Sequence, residues 1–318
     1  MSLQIGDVAI NRGEKLKSFY KVGEAPDHEV KIPYIIINGK KPGPTLCVLS
    51  GIHSIECTPI EAVLRLSREI EARNLTGILI LVPVVNTEGF LRRTPYHNDF
   101  DHLNQNRVFP GDQGGSNTER VAYFIFKEFV SKSDYLIDAH CADLGEDATR
   151  SVNIWKTDDE KLQEKMVEMA SCFDVDCIDY STINGNTGEA VKKYKIPCIM
   201  TESGAPYPMR EKDVQFHRDG VINLMKHLGM LPGKASLVNV PLGPEMAKLP
   251  SNSGGVWRSN VVIGQKVNKG EKLGEVANLL GDKLEEIKAP FNGKVYFLRT
   301  HYSCYAGDVL VYITKLEN

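Results

Sequence analysis

The sequence predicts an α/β fold with a mixed, mostly parallel central sheet and helices on both faces, followed by a small all-β domain. Short apolar runs alternate with helix-like stretches from residue 44 to about residue 228. Runs that are apolar throughout are typical of strands buried on both faces, and their alternation with helices indicates an α/β layer fold. Beyond residue 232 no long amphipathic stretch follows, and short β-rich runs are separated by glycine-containing turns.

Four apolar runs predict the core strands, and each ends at polar residues. These strands are predicted at 46–49, 78–85, 135–137 and 196–200, with helices at 58–73, 118–132, 158–173 and 213–228. At the start of the first helix, Thr58, Pro59 and Glu61 have the pattern of a capping box with proline at the first helical position. Residues 1–30 have no clear periodicity, and an edge strand is predicted at 31–38.

A length of 318 residues allows two domains, or one large domain with an appendage, and the 42% hydrophobic content can bury a sizeable core. The change of pattern near residue 232 predicts domains at residues 1–232 and 233–318. The formal charge of −3 gives no electrostatic reason to expect nucleic acid or an anionic membrane as a partner. No apolar run reaches the ~20 residues of a membrane helix. The seven cysteines lack a CxxC pair, which favours reduced thiols. We therefore expect a cytoplasmic protein that acts on a small molecule, and homo-oligomer formation stays open.

Four ionisable side chains lie at or just after the ends of three predicted core strands. His53 and Glu56 follow the first strand and precede the first helix, His140 follows the third strand, and Glu202 follows the fourth. In open α/β sheets, ligands bind beyond the carboxyl ends of the strands. Taken singly, each histidine is more often an ordinary residue than a metal ligand. The agreement in position of all four side chains predicts one common site.

The residue types in this group predict a catalytic zinc site. Zn²⁺ in such sites takes about three nitrogen or oxygen ligands and keeps one position open for water. His53, Glu56 and His140 supply this set for one Zn²⁺ per chain, and Glu202 is left as a candidate general base. Asp138 lies two residues before His140 and shares its strand face. Either it accepts the free N–H of that histidine, or it caps a neighbouring turn, and both alternatives stay open.

Basic residues between the second and third core strands are candidates for anion binding. An arginine fork can hold a carboxylate through two parallel hydrogen bonds, so Arg107 is a candidate clamp and Asn106 a further donor. Arg92 and Arg93 lie upstream in the same connection. One of them could stabilise the oxyanion that forms when water attacks a carbonyl, although an isolated arginine is more often simply solvated.

These residues together resemble the succinylglutamate desuccinylase/aspartoacylase family, a branch of the zinc carboxypeptidase-like hydrolases. The matching motifs are Gly51-x-His53-x-x-Glu56, Asn106-Arg107-Val108-Phe109-Pro110-Gly111, Asp138-x-His140 and Glu202-x-Gly204. The resemblance implies zinc ligands at His53, Glu56 and His140, a general base at Glu202, a carboxylate-binding pair at Asn106 and Arg107, and an oxyanion residue at Arg93 rather than Arg92.

The resemblance also implies the reaction, which is cleavage of an amide bond in a small N-acylated amino acid that bears a carboxylate. Asn104-Gln105 stands where the best-known members have Asp-Leu, so the chain departs from the family's namesakes at this point. A metallocarboxypeptidase acting on peptides is the first alternative, because the same ligands and arginine clamp serve both. A non-catalytic carrier or binding protein is the second. The C-terminal part resembles biotinyl/lipoyl barrel-sandwich modules, but Lys283 lacks the flanking signature of a modified lysine.

Overall fold

A mixed sheet of twelve strands forms the centre of this computed structural model, which describes residues 2–239 and 241–316. The strands of the chain are β1 (Leu3–Ile5), β2 (Val8–Ile10), β3 (Lys15–Glu24), β4 (Glu29–Asn38), β5 (Lys41–Ser50), β6 (Thr76–Val82), β7 (Tyr135–His140), β8 (Glu146–Ile154), β9 (Cys177–Tyr180), β10 (Cys198–Gly204), β11 (Met246–Pro250), β12 (Gly255–Ser259), β13 (Lys266–Val267), β14 (Lys272–Ala277), β15 (Lys283–Lys288), β16 (Gly293–Arg299), β17 (Ser303–Cys304) and β18 (Val309–Lys315). The helices are α1 (Cys57–Glu69), α2 (Thr87–Arg92), α3 (Asn117–Glu128), α4 (Glu160–Ser171), α5 (Glu189–Tyr194) and α6 (Glu211–His227).

The order of the central sheet is β11-β18-β16-β8-β10-β7-β5-β6-β4-β3, with β9 beside β8 and β13 beside β16. The four predicted core strands are β5, β6, β7 and β10, and they pair with one another in parallel. The flanking strands pair with this centre in antiparallel fashion. The predicted α/β fold with a mixed central sheet is therefore confirmed, and the carboxyl ends of the parallel strands meet at one edge.

Helices cover both faces of the sheet centre. Successive strand residues point to opposite faces, and Leu46, Cys47, Val48 and Leu49 in β5 are all fully buried. Helix α6 packs against α1, and its His217 contacts Thr201 on one face of β10. Ala139 of β7 is in register with Thr201, so the adjacent Asp138 points to the opposite face, where it accepts a hydrogen bond from Thr187 just before α5. Within the part of the chain that the structure describes, every helix is too short or too polar to traverse a bilayer.

Two predictions for the N-terminal region are wrong. Residues 1–30 are not irregular but contain β1, β2 and β3, and β4 is not an edge strand because it lies between β3 and β6. Strand β3 is the true edge strand, and its lysines alternate with Leu16, Tyr20 and Val22, which pack against the core. Ser18 and the exposed Phe19 interrupt this apolar alternation in the sequence. The capping box at Thr58 is also absent, because α1 begins at Cys57 and its first turn has no side-chain cap.

The C-terminal strands build a second hydrophobic core, centred on side chains such as Trp257, Leu273 and Val295. Strands β15, β14, β12 and β17 form a separate antiparallel sheet. Strands β11, β13, β16 and β18 instead extend the central sheet, because β16 pairs with β8 at Phe297 and Ala148. The C-terminal part is all-β as predicted, and it is continuous with the sheet that carries the candidate site.

Candidate active site

A cavity of about 450 Å³ opens at the carboxyl ends of β7 and β10. Its walls come from the segments after β5 and β7, the loop before α3, strands β8 and β10, and the C-terminal strands. The predicted site residues that line it are His53, Glu56, Asn106, Arg107, His140 and Glu202. The strand ends thus bring together side chains that are far apart in the sequence.

The two histidines converge on one carboxylate. His53 Nδ1 lies 2.7 Å from Glu56 Oε1, and His140 Nδ1 lies 2.7 Å from Glu56 Oε2. All three side chains are buried, and one ligand atom from each lies within 4.8 Å of the others. Burial alone would raise the pKa of Glu56, but the charges of His140 and His53 outweigh it and lower this pKa. Two imidazoles and one carboxylate, converging in a buried cavity, fit a divalent ion such as Zn²⁺.

The outer nitrogens of both imidazoles lie beside oxygen atoms. His53 Nε2 is 3.2 Å from Asn104 Oδ1, and His140 Nε2 is 3.0 Å from Asp138 Oδ1, although this second pair is poorly aligned for a hydrogen bond. The other oxygen of Asp138 accepts a hydrogen bond of 2.6 Å from the hydroxyl of Thr187. Such neighbours fix the ring orientation of a ligating histidine. The sequence did not single out Asn104, because nothing in a polar loop shows which amide will face a histidine.

A sharp turn brings His53 and Glu56 into the cavity. Strand β5 ends at Ser50, and Gly51 follows with φ at +62°, which favours glycine. A Cβ atom on Gly51 would come within 3.0 Å of the Cα atom of Val84. The chain therefore needs glycine here to turn from the strand toward α1. The carboxylate of Glu56, just before α1, faces the histidines instead of capping that helix.

Glu202 lies next to His140 across the parallel pair of β10 and β7, where the two residues are in register. The residues on either side of it, Thr201 and Ser203, point to the opposite face of β10. There the ring of His217 lies 3.0 Å from each of their hydroxyls, and burial lowers the pKa of His217 to about 3. The neutral imidazole of His217 thus contacts β10 on the face opposite the cavity, and Glu202 faces the cavity.

The electrostatic surroundings of Glu202 favour its protonated form. Burial raises the pKa of Glu202 well above its usual range, and the nearby carboxylates Glu56 and Asp138 add to this effect. A divalent cation bound at the neighbouring histidines would act in the opposite direction, because a positive charge stabilises the carboxylate. With a metal in place, the group is suited to accept a proton and to return it.

Arg107 is held beside the cavity with its guanidinium available for an anion. It donates hydrogen bonds of 2.7 Å to the backbone oxygen of Asn106 and of 3.1 Å to the hydroxyl of Tyr96. Among residues 2–239 and 241–316, no carboxylate forms an ion pair with it. The Tyr96 ring also stacks on His53, with 4.7 Å between ring centroids. Sequence reasoning missed Tyr96, and no pattern in this loop distinguishes it.

The two candidate oxyanion arginines lie outside the lining of the cavity, and their positions differ. The guanidinium of Arg92 packs 4.3 Å above the ring of Phe100. Arg93 ends α2 in a left-handed conformation, and its charge acts on Tyr207, whose hydroxyl lies 3.2 Å from the sulfur of Cys57. Arg92 thus packs on an aromatic ring, and neither arginine reaches the cavity wall in this structure.

The C-terminal strands form one wall of the cavity. The lining residues from this part are Met246, Lys248, Tyr296, Phe297 and Tyr312. The rings of Phe297 and Tyr312 pack with centroids 4.6 Å apart. Because β16 is paired with β8, these side chains extend the floor that carries Glu202.

The fold and the site define an α/β protein with a candidate metal centre of the hydrolytic type at the carboxyl ends of parallel strands. Residues 42–228 match the succinylglutamate desuccinylase/aspartoacylase catalytic domain. The chain belongs to this family, and the resemblance found in its motifs is confirmed.

Similar proteins extend the match over most of the chain. An N-alpha-acetyl-L-2,4-diaminobutyric acid deacetylase from Halomonas elongata is 25% identical over 299 residues, which is 90% of this chain and 86% of the relative. The succinylglutamate desuccinylase/aspartoacylase structure from Rhodobacter sphaeroides has a TM-score of 0.86 at 21% identity, covering 97% of this chain and 98% of the other. A product-bound ectoine utilization protein from Ruegeria pomeroyi has a TM-score of 0.86 at 23% identity, covering 96% and 97%. These structural likenesses show that the C-terminal strands belong to the shared fold.

Proposed function

We propose that this protein is a zinc-dependent hydrolase that cleaves the amide bond of a small N-acylated amino acid bearing a carboxylate. The observation that carries the proposal is the convergence of His53 and His140 on Glu56, with Glu202 beside them on the next strand. Membership of the family and the name of the Halomonas elongata deacetylase support the removal of an acyl group.

Each residue has a separate task in the proposed reaction. His53, Glu56 and His140 would hold one zinc ion, which when bound polarises a carbonyl and lowers the pKa of water. Glu202 takes a proton from the attacking water and gives it to the departing amine. Asp138 keeps the ring of His140 in place.

In our proposal, the loop before α3 orients the substrate. Arg107 has a free guanidinium edge at the cavity, and the buried amide of Asn106 lies next to it. Together they bind the substrate carboxylate by charge-assisted hydrogen bonds, which are about twice as strong as neutral ones. The arrangement fixes the amide bond relative to Glu202.

The C-terminal residues 233–318 form, in our proposal, a β domain that closes the substrate cavity. Support comes from the side chains of β16 and β18 in its wall and from the separate hydrophobic core of this region.

A role as a carrier domain needs a modified lysine. Intact mass after expression with biotin and lipoate available tests this second function, and an adduct on Lys283 would support it.

The oxyanion assignment can be tested with two neighbouring arginines. Arg93→Gln is expected to lower kcat by about 10²-fold, because loss of one oxyanion donor costs this much in comparable enzymes. Arg92→Gln is the matched control, since its guanidinium rests on Phe100, and its kcat is expected to stay within about twofold. Equal losses in both variants, or no loss in Arg93→Gln, would argue against the assignment.

A substrate panel separates the proposed function from its closest alternative. Zinc-loaded protein is assayed with N-acetylated amino acids and with dipeptides of the same carboxyl-terminal residue. A deacylase is expected to favour the acetylated compounds in kcat/KM by about 10²-fold, because an enzyme discriminates between substrates by the transition-state contacts that each group makes. Faster cleavage of the dipeptides would instead identify a metallocarboxypeptidase.

A further inference from the structure

Tyr96 contacts two parts of the site that have separate tasks in the proposed reaction. Its ring stacks on the imidazole of His53, with centroids 4.7 Å apart and the ring planes 23° apart. Its hydroxyl accepts a hydrogen bond of 3.1 Å from the Nη2 atom of Arg107. Tyr96 also lines the cavity. One rigid side chain therefore connects a proposed metal ligand with the proposed carboxylate-binding arginine.

Backbone pairing keeps Tyr96 close to Arg107. His97 and Asn104 form an antiparallel bridge, so the chain doubles back between Tyr96 and the short turn that ends at Arg107. The ring of His97 packs edge-on against Tyr96, with centroids 5.0 Å apart. The Asn104 side chain in turn faces the Nε2 atom of His53 at 3.2 Å. These contacts hold the ring of Tyr96 in its place between His53 and Arg107.

The orientation of the Arg107 guanidinium depends on two hydrogen bonds. Its Nη1 atom donates to the backbone oxygen of Asn106 at 2.7 Å, and its Nη2 atom donates to Tyr96. With both terminal nitrogens bound, the planar group has one orientation, and its other N–H donors remain for an anion. Without the hydroxyl of Tyr96, only the contact with Asn106 remains, and the guanidinium can rotate about it.

We propose that Tyr96 is a positioning residue that sets the distance between the bound carboxylate of the substrate and the amide bond that is cleaved. This inference rests on the proposed deacylase function and concerns the positional specificity of the same cavity. The carboxylate binds at Arg107, and the amide bond lies beside His53 and the other proposed metal ligands. Because Tyr96 contacts both His53 and Arg107, it fixes the separation that a substrate must match.

The expected selectivity follows from the precision that the reaction needs. A displacement of about 1 Å between reacting groups can cost about 10²-fold in rate. One additional carbon–carbon bond between carboxylate and amide is about 1.5 Å long. A substrate with a longer or shorter connection therefore cannot bind Arg107 and also place its amide bond correctly, as long as Tyr96 keeps the guanidinium in place.

The test compares isomers that differ only in the separation of carboxylate and amide. The kcat/KM of zinc-loaded protein is measured for the N-acetyl derivatives of 2-, 3- and 4-aminobutyrate, which have the same atomic composition. We expect one isomer to exceed the other two by about 10²-fold. Tyr96→Phe keeps the ring on His53 but removes the hydroxyl. It should lower this preference by about tenfold, mainly through a higher KM for the preferred isomer, as expected for loss of one hydrogen bond to a charged group.

Tyr96→Leu separates the two contacts of the tyrosine. This variant loses both the hydroxyl and the aromatic ring, so its preference among the isomers should fall as in Tyr96→Phe. Its zinc affinity should also fall by about fivefold, because the imidazole of His53 loses its stacked partner. Calorimetric titration of metal-free protein with zinc measures this affinity without turnover. Tyr96→Phe should keep the zinc affinity of the unchanged protein.

Tyr305→Phe is the matched control, because it removes the same hydroxyl from a side chain that is 79% exposed and lies outside the cavity. It should keep the isomer preference and the zinc affinity of the unchanged protein. Equal kcat/KM values for the three isomers in the unchanged protein would overturn the inference. A Tyr96→Phe protein that loses the same factor with every isomer would also overturn it, since that result indicates a structural role only.

Binding of the same three compounds, measured by calorimetry on zinc-loaded protein, distinguishes failure of the inference from failure of the proposed function. A preference among the isomers that is reduced in Tyr96→Phe supports the positioning role even if none of them is hydrolysed, a result that would contradict the deacylase function alone. No preference in either measurement would overturn the inference.

Discussion

Replacement of Glu202 by glutamine is expected to lower kcat by about 10³-fold while zinc stays bound, within the range found for general acid–base groups. Glutamine keeps the size of the side chain at the cavity but cannot accept a proton. None of the three proposed metal ligands is changed, and β10 remains held by His217 through Thr201 and Ser203. The measurement is kcat on the best acetylated substrate, together with the zinc content of the same preparation.

The zinc content distinguishes a lost base from a lost metal. A Glu202→Gln protein that has both lower activity and less zinc would mean that this carboxylate contributes to metal binding. Turnover equal to that of the unchanged protein would remove Glu202 from the mechanism. Glu202→Asp is a second informative variant, because it keeps a carboxylate whose side chain is one methylene shorter. We expect this variant to retain more activity than the glutamine variant.

Loss of the metal is expected to have an effect at least as large. His140→Ala should abolish measurable turnover and lower the zinc content well below one ion per chain, because the imidazole supplies one of three proposed ligands. The unchanged protein should lose activity with a chelator and regain it with added zinc. Thermal unfolding should shift as well, since zinc at about 100 times its Kd stabilises the folded state by about 2.7 kcal/mol.

His227→Ala serves as the control for the metal experiment. His227 lies in the last turn of α6, where its ring is 3.6 Å from a carboxylate oxygen of Glu168, and it does not line the cavity. Its zinc content and activity should match those of the unchanged protein. A preparation of the unchanged chain with less than about half a zinc ion, and with no gain after zinc addition, would contradict the proposed metal centre.

The sequence predicted the core of the site because strand ends in a parallel sheet share one edge. The runs that became β5, β7 and β10 are apolar on both faces, so the polar residues after them were easily recognised. The register of β7 with β10 then brings His140 and Glu202 side by side. Parallel topology, more than any single motif, made the site predictable.

The loop before α3 could not be predicted in the same way. Asn104 and Tyr96 contact His53 because of the conformation of this loop, which is fixed by contacts such as the 2.8 Å hydrogen bond from the Thr118 hydroxyl to Asp101. Such contacts join residues without any periodic pattern. The polar sequence of the loop therefore indicated anion binding in general but not which side chain faces which partner.

The strands at the edge of the sheet and their pairing were equally difficult to predict from the sequence. The apolar alternation of β3 is interrupted by Ser18 and Phe19, and the pairing of β16 with β8 joins distant segments at only a few positions. Register between two such strands depends on the faces that each must bury, which a single sequence does not specify. The sequence therefore does not show which side chains of β16 and β18 line the cavity.

The pairing of β16 with β8 also has a consequence for biosynthesis. Residues 146–148 meet their partners at 297–299, so the cavity cannot be completed until residues 297–299 have left the ribosome. Until then, residues 146–148 at the edge of β8 lack the partner strand, whereas residues 151–154 pair with β9, and these unpaired backbone groups are a template for pairing with other chains. Contacts of such high sequence separation also slow folding. The nascent enzyme therefore passes through an inactive stage in which association with other chains competes with completion of its own sheet.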